Sequence, residues 1–151
     1  NDPIYITGKC HYASITEPNT KFEPVWSIQI EVDDNNRSVI EGANLKIANK
    51  GDDRGDFVTI KRKVMRKDGS ERKAPIVKDS QNNLWDDKLI ANGSLVNVKA
   101  IPYEWNYAGK SGVSADLAAV QVVDFIEYAN SEEDFAPVDG GYVQESASVP
   151  F

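Results

Sequence analysis

Tyr103, Trp105 and Tyr107 alternate along the run Ile101-Pro102-Tyr103-Glu104-Trp105-Asn106-Tyr107. On an extended backbone that spacing projects all three rings from one face. A small-residue segment, Ala108-Gly109-Lys110-Ser111-Gly112, follows directly and contributes the cation Lys110. Such rings suit single-stranded nucleic acid, because every base has a π-face and stacking is worth about 1–3 kcal/mol per base. The competing reading is burial, which claims any one of these rings about as readily. Three rings on one face beside a polar loop fit a core less well, and Tyr103 and Trp105 are the leading pair.

A second constellation complements the first. Between Lys61 and Lys73 stand seven cations, Lys61, Arg62, Lys63, Arg66, Lys67, Arg72 and Lys73, against Asp68 and Glu71. Cations on a hairpin arm neutralise phosphates, giving salt-dependent affinity with little sequence preference. Alone, the run reads more readily as a solvated hairpin. Its pairing with the aromatic segment favours binding.

The distribution of charge points the same way. The formal net charge of −7 conceals a division, since residues 1–128 carry 17 basic and 19 acidic residues. Residues 129–151 carry five acids and no Lys or Arg, and end on Phe151. Local fields steer ligands more than total charge does, so the basic hairpin outweighs an acidic isoelectric point. The acidic tail imitates a polyanion, and its aromatic end offers a docking handle. Glu132, Glu133, Asp134 and Phe151 are the expected partner-binding residues.

Positioning these groups requires a mainly β body. Ile4 to Tyr12 alternates, with Ile4, Ile6, Gly8, Cys10 and Tyr12 on one face. Trp26, Ile28, Ile30 and Val32 form the cleanest inward series, which makes Trp26 a core residue. Phe57 to Met65 predicts a strand, and Lys67-Asp68-Gly69-Ser70 a hairpin turn back through Arg72 to Lys78. Asn92-Gly93 is a second turn, before a strand over Leu95 to Ile101. A last strand is expected from about Leu117 to Tyr128, although its Ala-rich start is also compatible with helix. Ile40, Ala43 and Ile47 predict one short helix over Arg37 to Ala48, with Asp33 or Asp34 as its cap. Trp85, in a polar loop, either plugs the barrel or stacks. These elements predict a five-stranded Greek-key barrel of the oligonucleotide-binding (OB) type over residues 1–128, with one inserted helix. Residues 129–151 are expected to be an extended tail rather than a core element.

Several chemistries find no support. One His and one Cys, His11 and Cys10, make a structural zinc site very poor, and Asp52, Asp53 and Asp56 match no divalent-ion loop. Neither a phosphate-cradling glycine loop nor a nucleophile elbow is present. No metal, cofactor or catalytic residue is expected. No apolar run reaches the roughly 18 residues of a membrane span. The lone cysteine fits a reducing compartment, with the cytosol as the expectation. The chain opens at Asn1 without a methionine, which fits a processed or removed start.

The order of these motifs resembles the replication single-stranded DNA-binding proteins of short-tailed bacteriophages. The resemblance is carried by Pro102-Tyr103-Glu104-Trp105-Asn106, the small-residue segment after it, and Val122-Val123-Asp124-Phe125. Ala74 to Ser80 and Asn92 to Lys99 follow in the same order, and the acidic tail ending in Val149-Pro150-Phe151 matches by type. The resemblance covers residues 57–128 best, and the first fifty mainly in the order of elements. It implies a non-enzymatic protein that protects single-stranded DNA in the cytoplasm of an infected bacterial host. It also implies a tail that occupies the basic groove without DNA and otherwise docks replication proteins such as DNA polymerase or helicase/primase. A homodimer is consistent with the same likeness. This tail is less densely acidic than the family pattern, which implies weaker competition with DNA and a larger share for Phe151. The alternative is a β-barrel interaction or virion structural module, and a metal-dependent nuclease ranks third.

Overall fold

Alternating apolar residues generate a sheet that closes on itself. The computed structural model describes residues 2–127, so the expected tail from 129 to 151, with Glu132, Glu133, Asp134 and Phe151, lies outside the described residues. Seven strands and one helix follow in order: β1 (Ile4–Asn19), β2 (Val25–Glu31), α1 (Arg37–Gly42), β3 (Ala48–Asn49), β4 (Asp56–Lys63), β5 (Ile76–Lys78), β6 (Leu95–Tyr107) and β7 (Lys110–Asp124). The sheet order is β3-β4-β2-β1-β6-β7-β5, and β4 also pairs with β7 in parallel at Lys61 and Asp116. That last pairing joins β4, β2, β1, β6 and β7 into a closed five-stranded barrel, the expected OB fold. β3 and β5 are short additions to it.

The inward series hold the core. Ile6, Cys10, Ile28, Ile30, Ile60, Val96, Val98 and Leu117 are fully buried, and Trp26 lies among them. Burying each such side chain contributes about 1.5–3 kcal/mol, so the barrel interior is the main source of stability. Helix α1 adds Ile40 to this core, with Leu45 just beyond its end. The helix spans six residues, shorter than the span to Ala48, because the backbone turns to positive φ at Asn44 although the apolar spacing continues to Ile47. Neither Asp33 nor Asp34 takes the cap position, which falls to Asn36. Asp33 instead accepts the N–H groups of Asn35 and Asn36 through Oδ1. The buried Asn36 amide donates to the carbonyls of Thr7 and Glu31, tying the helix to two strands.

Two further expectations change, and two open alternatives are settled. The alternation of β1 holds to Cys10 and then breaks at an irregularity between His11 and Ser14, so Tyr12 faces solvent rather than the core. The aromatic run does not follow a strand; it is the second half of β6. The Ala-rich segment is strand throughout, because β7 begins at Lys110 and runs antiparallel to β6 along its whole length. Trp85 packs edge-on against Phe125 at 4.9 Å and donates its indole N–H to the Lys88 carbonyl, so it lies partly buried against the core.

Candidate nucleic-acid interface

Beyond Ile101 the β6–β7 ladder leaves the barrel wall and stands out as a two-stranded arm. Burial alternates up to Ala100, and from Tyr103 to Tyr107 every residue is exposed. The turn needs only Ala108 and Gly109, at φ +52 and +78, and such paired positive values belong to the tight hairpin turns whose twist matches the strands. Directly opposed residues share a face of an antiparallel pair. The register opposes Tyr103 to Ser114, Trp105 to Gly112 and Tyr107 to Lys110, so Lys110 joins the aromatic face.

Gly112 has a specific task there. A Cβ at this position would lie 2.6 Å from Trp105 Cζ2 and 2.9 Å from Cε2. The indole therefore lies over the glycine and is held by the absence of a side chain beneath it. Tyr103 is 43% exposed, Trp105 39% and Tyr107 79%. Of the two readings of the aromatic run, core is ruled out by these values.

The basic segment folds as a hairpin against the base of the arm. Met65 bridges Glu71, and Arg66 donates its N–H to the Ser70 carbonyl at 2.7 Å around the Asp68-Gly69 turn. A groove of about 630 Å³ opens between this hairpin and β6, with Lys61, Lys63, Arg66 and Lys67 on one side and Ile101 and Tyr103 on the other. Two segments some forty residues apart in sequence thus share one hollow.

The seven cations divide into two kinds. Arg62 is an inward residue at the end of β4, and its guanidinium reaches Asp116 with bonds of 3.1 Å from Nε and 2.7 Å from Nη2. Arg72 adds a third bond to Asp116 at 3.1 Å. Burial pushes the Asp116 carboxyl up, but the hydrogen bond and charge of Arg62, joined by Arg72, outweigh it and hold it below the usual carboxylate range. This cluster sits beside the parallel bridge of β4 to β7 and closes the barrel seam. Lys63 lies 3.5 Å from Glu23, and Arg66 bonds within its own hairpin. Lys61, Lys67, Lys73 and Lys110 form no ion pair among the described residues.

The turn between β1 and β2 was not visible as a site in sequence. Phe22 is 84% exposed there, with Lys21 Nζ 5.8 Å from its ring centroid. OB folds bind oligonucleotides across the second and third barrel strands between the first and last turns. In this chain those elements are β2 and β4, the Lys21-Phe22 turn and the aromatic arm. An exposed aromatic beside a lysine in a loop was the available signal. Among the described residues, no group of three His, Cys, Asp or Glu side chains is placed to hold a metal ion. No helix there is long and apolar enough to cross a membrane.

No family model matches the sequence, and no curated protein matches it. Solved structures do. The gp2.5 single-stranded DNA binding protein encoded by bacteriophage T7 is similar with a TM-score of 0.60 at 20% identity, over 95% of this chain and 98% of that one. The single-stranded DNA-binding protein from bacteriophage Enc34, in complex with single-stranded DNA, has a TM-score of 0.60 at 13% identity, over 83% and 88% of the two chains. The same Enc34 protein without DNA gives 0.60 at 14% identity, over 87% of each. At these identities the likeness is one of fold.

Proposed function

We propose that this chain binds single-stranded DNA without strong sequence preference and protects it during phage DNA replication and recombination in the host cytoplasm. The observation that carries this reading is the groove in which Tyr103 of the aromatic arm faces Lys61 and the basic hairpin. Stacking and phosphate neutralisation, the two interactions a single strand offers irrespective of sequence, meet there. The phage proteins that share the barrel bear names that state the same activity, and this supports the reading. Tyr103, Trp105 and Tyr107 stack bases. Lys61, Lys63, Arg66, Lys67, Lys73 and Lys110 meet phosphates, while Arg62 and Arg72 hold the groove's wall through Asp116. The protein acts by binding alone, without catalysis, and Glu132, Glu133, Asp134 and Phe151 of the tail dock replication proteins.

Titration with oligo-dT at two salt concentrations tests this. Binding is expected to quench Trp emission and to weaken with a log–log salt slope of roughly −3.5 to −4.2, if five or six phosphates are neutralised. Tyr103→Ala combined with Trp105→Ala is expected to cost about 2–6 kcal/mol. Preference for duplex, or affinity indifferent to salt, would reject the proposal.

A further inference from the structure

We infer that Tyr12 is a second base-stacking station, and that a recess carrying Lys46, Lys50 and Lys61 conducts the phosphates between it and the aromatic arm. The inference rests on the proposed single-stranded DNA binding and lengthens its path.

Tyr12 supplies the first observation. Strict alternation along β1 would turn it inward after Cys10. Instead it takes φ +49 at the strand irregularity and is 60% exposed. A bulky residue at positive φ is strained, and such strain gathers at functional positions. The conformation is held, because the Tyr12 N–H donates to Asn92 Oδ1 at 2.7 Å. The ring is held as well. Arg54 places its guanidinium 5.4 Å from the Tyr12 centroid and 4.2 Å from that of Phe57. Asp52 accepts two bonds from Arg54 Nε at 2.9 and 3.1 Å, and Gln29 Oε1 accepts one from Nη1 at 2.7 Å. An exposed ring anchored on a fixed cation loses little freedom when a base stacks on it.

The recess supplies the second observation. It holds about 410 Å³, and its lining runs from Lys46, Lys50 and Arg54 to Lys61, over an apolar floor that includes Phe57 and Val113. Lys61 also lines the groove of Tyr103, so the two hollows adjoin at that side chain. Arg54 lines the recess and touches Tyr12, which makes the residues continuous from Tyr103 to Tyr12. Of the nearby aspartates, Asp52 holds Arg54 and Asp56 pairs with Arg37 at 2.9 Å, while Asp53 is exposed and does not line the recess. The three lysines leave the recess positive, and the class of ligand it suits is the phosphodiester backbone of a single strand.

The test uses the full chain and oligo-dT of about 4, 8 and 16 nucleotides, spanning the site sizes of OB folds. Wild-type affinity is expected to rise with length until the strand reaches Tyr12. Tyr12→Ala should bind the longest oligonucleotide about 5- to 160-fold more weakly and so flatten the length dependence. Tyr12→Phe should restore it. Tyr12→Gly relieves the backbone strain without a ring, and should be as weak as Tyr12→Ala. Lys46→Ala with Lys50→Ala should reduce the magnitude of the salt slope by about 1.4 for the longest strand. Urea midpoints near wild type establish that the variants fold. Wild-type affinity at every length in Tyr12→Ala, or full affinity in Tyr12→Gly, overturns the stacking station, and an unchanged salt slope overturns the lysine path. If the wild type binds no oligo-dT, the proposed function falls and this path with it. Neutral Tyr12 and lysine variants beside a weakened Tyr103→Ala, Trp105→Ala protein remove the path alone.

Discussion

Trp105 and Gly112 act as one unit, and that unit is open to measurement. Adding a methyl group at position 112 drives a Cβ into the indole at 2.6 Å, so Gly112→Ala must displace the ring. The expected cost is about 1–3 kcal/mol in oligo-dT binding, the value of one stacked base. In a Trp105→Ala background the same change should cost almost nothing, and a double-mutant cycle reads the coupling directly. Additive losses would show that the glycine acts by another route. Cys10 poses a simpler question at the same scale. Burial pushes its thiol up to about 11, against smaller backbone hydrogen-bond effects, and the thiolate is the reactive form. A thiol reagent at pH 8 should therefore leave the native protein unmodified and label Cys10 only after unfolding. Rapid native labelling would mean that the barrel end near Ala91 and Ser94 opens readily.

The elements depend on the seam where β4 meets β7. A single parallel pairing closes the barrel there, and the Arg62–Asp116–Arg72 cluster stands beside it. Removing Asp116 would leave two guanidinium groups facing each other, with Arg62 only 14% exposed. Breaking a buried pair typically costs 3–5 kcal/mol. For this largely covered cluster Asp116→Ala is expected to cost about 2–4 kcal/mol in urea unfolding, and a loss under about 0.5 kcal/mol would mean that backbone pairing closes the seam unaided. The pH dependence follows from the lowered Asp116 carboxyl. Its folded value lies below the unfolded one of about 3.9, so its contribution is complete above that pH and is lost as pH falls through the folded value. The stability gap between wild type and Asp116→Asn should thus stay level from pH 7 to about 5 and close below about pH 4. A gap that widened in acid would reverse the sign and assign the cluster a different role.

At the scale of the whole molecule, charge is divided between a basic groove and an acidic end. All seventeen Lys and Arg lie at or before Lys110, while residues 129–151 contribute five acids. A polyanionic segment that reached the groove would compete with phosphates for the same lysines. Deleting residues 132–151 is expected to tighten oligo-dT binding, modestly because the acids are few, and more at low salt than at high. Equal affinity of the full and shortened chains at low salt would show that the tail does not visit the groove.

The sequence by itself determined the wall of this barrel and the chemistry it carries. Period-two patterns such as Trp26-Ile28-Ile30 depend only on strand geometry, and the aromatic and basic runs are local in the chain. Local order also set the face of Tyr103, Trp105 and Tyr107, since alternate side chains of any strand project together. Only the tertiary structure decided which cations remain available. Arg62 looks like its neighbours in sequence, but strand alternation turns it inward, where Asp116, 54 residues away, holds it. The same holds for Tyr12, whose place in the pattern was inner. A one-residue irregularity reverses every side chain beyond it, and no local composition marks where that slip occurs. The recess of Lys46, Lys50 and Lys61 is lined from β2, the segment after α1, β4 and β7, which come together only in the closed barrel. Pairing between distant strands is set by the closure of the whole sheet, and this is why the tertiary structure alone located it.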